Sequence, residues 1–397
     1  MEFFNRQRWI LLMLLLTVVL AVVLAVVLCF ECSDNGIGGA FGKQKNANSG
    51  GGNNNGGGSG NNNDGSDAGN NSGDNNGDSG EDNNNNGSDN NVDSTDNNNV
   101  GLTFTAVKNF AFSQGKDIVY NDIYGIAYGN GKFVAVGRVG QIAYSTDGST
   151  WTKVTNTGLS NQYEIKKVTF GGNKFIAIGV LGMVIVDGKF TTWRRLIISS
   201  DAINWTSINP ENFDCSTISD ISYGSGKFVA VTSTGQIIHS SDGSTWTPLP
   251  DSPFGSVAIS GIAYGDGRFV AVSSSSNKIA YSLDGITWTA LLSSPFKCIV
   301  YGCNIFMACG NNIIASSSDG TTWMPLANRS ANGIMYGAGK FVSWSGTTIS
   351  YSIDAGITWA QVDNIFNESI NGMAYGNGTF VAVSGRFSQI AYSNKQE

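Results

Sequence analysis

The chain has 397 residues, a formal net charge of −7 and a single histidine. From residue 101 onward 19 Lys and Arg face 18 Asp and Glu, so the acidity belongs to the first 100 residues, and no basic stripe exists on which a nucleic-acid backbone could be neutralised. The lone His239 rules out histidine-based metal or triad chemistry, and no cofactor is expected.

Residues 9–30 form a run of 22 residues without a charge, preceded by Arg6 and Arg8. At a rise of ~1.5 Å per residue such a run crosses a ~30 Å hydrocarbon core. The arginines place the short N-terminal side in the cytoplasm. A cleaved signal has an apolar stretch of about 7 to 15 residues and a small-residue cleavage site; this run is longer and no such site closes it. An N-terminal transmembrane helix within residues 1–32 is therefore expected. The alternative is a lipid on Cys29 or Cys32, although Leu28 and Glu31 precede them where a lipoprotein signal has a small residue. Either way the remainder is membrane-anchored and outside the cytoplasm, periplasmic or at the cell surface.

Residues 33–100 are dominated by Asn, Gly, Ser and Asp, with no aromatic residue between Phe41 and Phe104. Such a segment cannot bury enough apolar surface to offset chain entropy, and a disordered linker is expected. Its r.m.s. span is roughly 40 to 45 Å. Its Asn/Asp runs lack the fixed spacing of a calcium loop.

Residues 101–397 repeat one pattern. The first copy, at 123–154, reads IYGIAYGNGKFVAVGRVGQIAYSTDGSTWTKV, and others begin near Ile165, Ile218, Ile259, Cys298, Gly333 and Ile370. Four short β runs per copy at this period predict propeller blades. Strand A (as 123–128) leads through a two-residue loop, such as Asn130-Gly131, Gly172-Asn173, Ser225-Gly226, Asp266-Gly267 or Asn377-Gly378, into strand B (as 133–136). Loops of this type favour a type I′ hairpin, in which both central residues take positive φ. Strand C (as 141–145) is followed by a turn, S-x-D-G-x-T-W, and strand D. The predicted fold is all-β: a seven-bladed β-propeller of four-stranded antiparallel blades, read as a monomer.

The second turn, Ser145-Thr146-Asp147-Gly148-Ser149-Thr150-Trp151, resembles the Asp-box, or BNR repeat. So do 240–246, 282–288 and 317–323; 352–359 is one residue longer, and 199–205 keeps Asp201 and Trp205 but has Asn204 in place of Thr. The chain is thus similar to Asp-box propellers, which include sialidases and the non-enzymatic photosystem-assembly-factor type. In that family the box is a folding element away from the binding face. Asp147, Asp201, Asp242, Asp284, Asp319 and Asp354 are accordingly read as structural: an Asp in a tight turn accepts from nearby backbone N–H groups.

The seventh copy lacks a strand D. Residues 102–109 alternate in the same way and have no blade of their own, so they are expected to supply it and close the ring. The A–B loops and boxes share one face; the B–C and D–A connections share the other, where the irregular sequence lies and a ligand site is expected.

The largest irregularity is in blade 2, where Asp201 follows Phe175 by 12 residues more than Asp147 follows Phe133. The extra stretch contains Lys189, Phe190, Trp193, Arg194 and Arg195, an aromatic beside paired arginines that suits a binding tip; a hairpin packing over its neighbour is the alternative. Arg138 and Arg386, in B–C connections, join this set. Arg329, Glu164, Glu211 and Glu368 fall on the same face. Phe213, Phe254, Phe296 and Phe366 recur in the D–A connections, as a stacking platform or as packing between blades.

Sialidases hold a substrate carboxylate with three arginines and carry an F-R-I-P-like motif before the first box; that motif is absent. Other glycosidases use two carboxylates, and Asp214, Asp251, Asp363, Glu164, Glu211 and Glu368 are available without a spacing that selects a pair. The favoured expectation is a binding module for a protein or a carbohydrate, with a glycoside hydrolase as the alternative. Cys298 and Cys309 fall opposite each other in blade 5; two small buried residues is the simpler reading and a disulfide is sterically open.

Overall fold

The computed structural model describes residues 101–108, 122–159, 163–186, 189–208, 213–385 and 389–396, with the backbone alone over 181–194. The anchor, the lipid site and the linker expected at 1–100 lie outside the described residues. Among the described residues no helix is long and apolar enough to cross a membrane.

Seven four-stranded antiparallel sheets follow one another along the chain. Blade 1 runs Ile123–Gly129, Lys132–Gly137, Ile142–Ser145 and Thr152–Lys153. Strand A of the other blades is Tyr163–Gly171, Ile218–Gly224, Gly261–Gly265, Cys298–Gly302, Gly333–Gly337 and Ile370–Gly376. Each strand A touches the strands A on either side, so these strands form the inner wall of the ring. Every A–B loop has two residues of positive φ, from Asn130 and Gly131 (46° and 72°) to Asn377 and Gly378 (49° and 72°). The right-handed twist of the paired strands requires this turn.

The core lies between blades. The second residue of strand B in every blade is a buried phenylalanine: Phe133, Phe175, Phe228, Phe269, Phe306, Phe341 and Phe380. Each is packed 4.6–4.8 Å, centroid to centroid, from the aromatic residue near the end of its own strand A. Fully burying one such ring stabilises by roughly 1.5–3 kcal/mol. Between blades 7 and 1, Ile123, Ile126 and Phe133 meet Ala374, Val381 and Val383.

The Ser–Asp turns are built by hydrogen bonds. Asp147 Oδ1 accepts from the N–H of Ser149 and of Thr150, each at 2.8 Å, and from the Ser145 hydroxyl at 2.9 Å. Ser145 Oγ accepts from Gly148 N–H, and Trp151 Nε1 donates to Gly148 O at 2.9 Å. The divergent turn of blade 2 keeps this scheme: Ala202 takes the glycine's positive φ of 67°, and Asn204 Nδ2 donates to Asp201 Oδ2 at 2.7 Å.

Residues from the A–B side reach the Ser–Asp turn of the next blade. Asn130 Nδ2 donates to Ser200 O at 2.9 Å, Lys174 Nζ to Asp242 O at 2.8 Å and Arg268 Nη1 to Asp319 O at 2.7 Å. Both turn types therefore share a face, as expected.

Phe104–Ala106 pairs antiparallel with Ile390–Ser393 as the outer strand of blade 7, in the register Phe104↔Ser393 to Ala106↔Ala391. Asn394 fastens it: its Oδ1 accepts from Thr103 N–H at 3.1 Å and its N–H donates to Thr103 O at 3.0 Å. The predicted closure of the ring is present.

Cys298 and Cys309 form a disulfide across the A–B hairpin of blade 5, with Cα atoms 5.3 Å apart. The reading as two reduced small residues is corrected: directly opposed residues of neighbouring strands lie within disulfide reach. The four D–A phenylalanines also resolve. Phe254, Phe296 and Phe366 are 1–3% exposed, and Phe213 packs 6.3 Å from Trp246. They are packing residues, which removes the stacking platform.

Candidate functional site

Strand A carries an aromatic-glycine pair at its end in every blade: Tyr128-Gly129, Phe170-Gly171, Tyr223-Gly224, Tyr264-Gly265, Tyr301-Gly302, Tyr336-Gly337 and Tyr375-Gly376. Counting three residues back from each aromatic gives one layer of the inner wall: Gly125, Lys167, Asp220, Gly261, Cys298, Gly333 and Gly372. Four positions are glycine and one is a disulfide, so only blades 2 and 3 place charge in this layer. Lys167 Nζ lies 2.6 Å from Asp220 Oδ1 and donates to Ser219 O at 2.8 Å. The other oxygen, Asp220 Oδ2, accepts from Ile262 N–H at 3.1 Å. The Asp220 carboxylate thus ties together three consecutive blades.

One residue nearer the D–A face, and in the connections above it, the polar cluster continues over blades 1 and 2. Arg138, in the B–C connection of blade 1, places Nη1 3.4 Å from Asp122 Oδ2 and Nε 3.5 Å from Glu164 Oε1. Glu164 also pairs with Lys166. Lys166 Nζ sits 4.3 Å from the centroid of the Tyr124 ring, and Tyr124 Oη donates to Asp122 Oδ2 at 3.4 Å. Burial, together with the charges of Glu164 and Asp122, pushes the Tyr124 phenol up to about 12. It stays protonated and available as a donor. On the far side Asn371 Nδ2 donates to Ile123 O at 2.7 Å. In the three-back layer and at the aromatic's immediate predecessor, strand A of blades 4, 5 and 6 offers Gly261 and Ala263, Cys298 and Val300, and Gly333 and Met335. At the four-back position blades 4, 5 and 6 carry Ser260, Lys297 and Asn332. Among the described residues the ion pairs of this mouth lie over blades 1, 2 and 3.

Arg138 and Glu164, both expected on this face, are brought together. Arg386 lies outside the described residues, as does Glu211. Arg329 is engaged elsewhere, donating from Nη2 to Ser350 Oγ at 2.9 Å and stacking 4.8 Å from the Trp359 ring. Asp214 caps a short turn, accepting from Ser216 N–H at 2.9 Å. Among the described residues the carboxylate-binding triad of arginines is not assembled. His239 is a strand residue paired with Val229 and Thr247; burial and the neighbouring Lys227 push its imidazole pKa down.

The blade 2 insertion differs from the expected tip. It prolongs strands B and C into one long hairpin, Lys174–Val186 and Lys189–Ser199. Arg195 pairs with Gly179 and Arg194 with Val180; Trp193 falls at a register shift between Val180 and Met183. Only Lys189, paired with Val186, and Phe190, paired with Ile185, stand near the turn. The segment reads as strand because Val184 and Ile185 pair with Thr191 and Phe190, residues of matched β propensity.

Sequence reasoning missed Asp122, Tyr124, Lys166, Lys167 and Asp220. The available signal was the departure of Lys167 and Asp220 from the glycine held at that place in four other copies.

No protein-family profile and no curated protein matches the chain. Among solved structures it is similar to YCF48 bound to a D1 peptide, at 16% identity over 73% of this chain and 96% of that one, with a TM-score of 0.54. YCF48 from Cyanidioschyzon merolae gives 14% identity over 73% and 98%, TM-score 0.53. A virginiamycin B lyase from Staphylococcus aureus gives 12% over 74% and 99%, TM-score 0.57. At these identities the likeness is one of fold: the chain is a seven-bladed propeller.

Proposed function

We propose that the chain is a binding module, tethered to a membrane by its N-terminal segment outside the cytoplasm, which engages a protein partner through the D–A/B–C mouth over blades 1 to 3. One observation carries this reading: the ion pairs of this mouth gather over blades 1 to 3, and two of their members, Lys167 and Asp220, stand where four other copies have glycine. Evenly balanced groups (Arg138, Lys166 and Lys167 against Asp122, Glu164 and Asp220) give directional donors and acceptors without a strong net field. That suits a polar, near-neutral surface such as a folded protein or peptide better than a polyanion. YCF48, which shares the fold, has been captured with a D1 peptide. The six Ser–Asp turns we read as Asp-boxes; their hydrogen bonding and their place on the opposite face support a scaffolding role.

The test is photo-crosslinking in native membranes with p-azidophenylalanine in place of Tyr124, and in place of Ser149 on the opposite face as control. A specific protein adduct at position 124 that disappears with Arg138→Glu and Lys166→Glu is expected. Equal adducts at both positions, or none at 124, would overturn the assignment.

A further inference from the structure

The outer rim between blades 4 and 5 holds a second feature, independent of the mouth. A cavity of about 290 Å³ is lined by Leu292, Ser293 and Phe296 from blade 4 and by Ile313, Trp323 and Pro325 from blade 5. Trp323 Nε1 is buried and has no hydrogen-bond partner among the described residues. In four other Ser–Asp turns the tryptophan donates to a carbonyl of its own turn: Trp151, Trp205, Trp246 and Trp359. Trp288 of blade 4 shares the unpaired state. There, however, Leu249 and Val257 from the 12-residue connection between Thr247–Pro248 and Gly261–Gly265 pack against the same core cluster as Trp288. The corresponding connection over Trp323, between Thr289–Leu292 and Cys298–Gly302, has five residues and leaves the cleft open.

The strand beside this cleft is also unlike the other outer strands. Thr289–Leu292 pairs along its whole length, with no proline and no charge. The others are two or three residues long or contain a proline, as in Thr247–Pro248 and Met324–Ala327. Short edges, charges and prolines are how sheets prevent strand addition. Ser293 N–H donates to Asn277 O at 2.9 Å. Antiparallel alternation then turns the N–H and C=O of Ala290 and Leu292 away from the sheet. Leu292 is 86% exposed.

We propose that this cleft takes an extended peptide segment of a partner protein. The peptide backbone pairs with the outward groups of Ala290 and Leu292, as in strand addition. One of its apolar side chains enters the cavity against Phe296 and Ile313, and a peptide carbonyl accepts from Trp323 Nε1. An unsatisfied buried donor is costly, and a peptide carbonyl removes that cost where a purely apolar ligand leaves it.

The test uses the full chain with its nine tryptophans labelled at the indole nitrogen, the Trp323 signal being assigned by its loss in Trp323→Phe. The probe is acetyl-Thr-Leu-Leu-Val-amide, and the control is the same peptide N-methylated at both leucines. Saturable downfield movement of the Trp323 signal by the probe alone is expected, with affinity reduced about tenfold in Leu292→Lys, which puts a charge on the edge. Leu292 is a surface residue, so this variant folds. An immobile Trp323 signal overturns the proposal, as does movement unaffected by N-methylation and by Leu292→Lys.

Discussion

The ring of Tyr128 lies over Gly376, so close that a Cβ on that glycine would fall 2.2 Å from the ring carbons. The contact joins the last blade to the first, and it is one of seven. Gly129 meets Phe170, Gly171 meets Tyr223, Gly224 meets Tyr264, Gly265 meets Tyr301, Gly302 meets Tyr336, and Gly337 meets Tyr375, each at 2.0–2.3 Å from the same virtual Cβ. The aromatic-glycine pair in each repeat is thus half of an interface whose other half comes from the next blade.

Gly376→Ala is expected to destabilise by about 1–3 kcal/mol, because an added methyl in a packed contact forces ring and backbone apart. Urea unfolding measures it. An unchanged midpoint would mean that Tyr128 can tilt away freely and that the circuit does not hold the ring.

The Ser–Asp turns make stability pH-dependent. The Asp284 carboxylate is held down to about 2 by the Thr287 N–H first, with Ile286 N–H and the Ser282 hydroxyl, against the opposing effect of burial. At Asp147 burial works upward, but the N–H groups of Thr150 and Ser149 and the Ser145 hydroxyl together outweigh it and bring the group to about 2. A folded-state pKa below the unfolded 3.8 stabilises above that value, and the contribution is lost as pH falls from 3.8 through about 2. Thermal melts between those limits should therefore fall steeply with acid. Asp147→Asn with Asp284→Asn should flatten that slope; an unaltered slope would remove these turns from the acid response.

Leu102 is 3% exposed and packs with Val342, Ile349 and Phe366. Leu102→Ala should cost about 2–5 kcal/mol, and removing residues 102–108 should expose the amides of Ile390–Ser393 to hydrogen exchange. Protection that survives the deletion would show that blade 7 is held by its other strands alone.

At the mouth, Lys167→Met should cost about 1 kcal/mol, as for a partly exposed ion pair. Asp220→Ala should cost more, because it also leaves the Ile262 N–H without its acceptor. A double-mutant cycle separates the two; equal single costs would reduce Asp220 to a partner of Lys167.

Much of this was legible in one sequence. The repeat, the positive-φ pairs such as Asn130-Gly131, the Ser–Asp turns and the truncated seventh copy are local or periodic signals. Each depends on backbone conformation within a few residues, so they determined blade count, hairpin type and the closing strand. Three-dimensional packing decided the rest. Sequence spacing cannot tell a longer loop from longer strands; the register against Val180 and Gly179 puts Arg194 and Arg195 within paired strand. The convergence of Arg138 with Glu164, and of Lys167 with Asp220 and Ile262, joins residues from neighbouring blades. Those contacts exist only once neighbouring blades pack, because that packing sets the distance between strands A and nothing in the local chain encodes it.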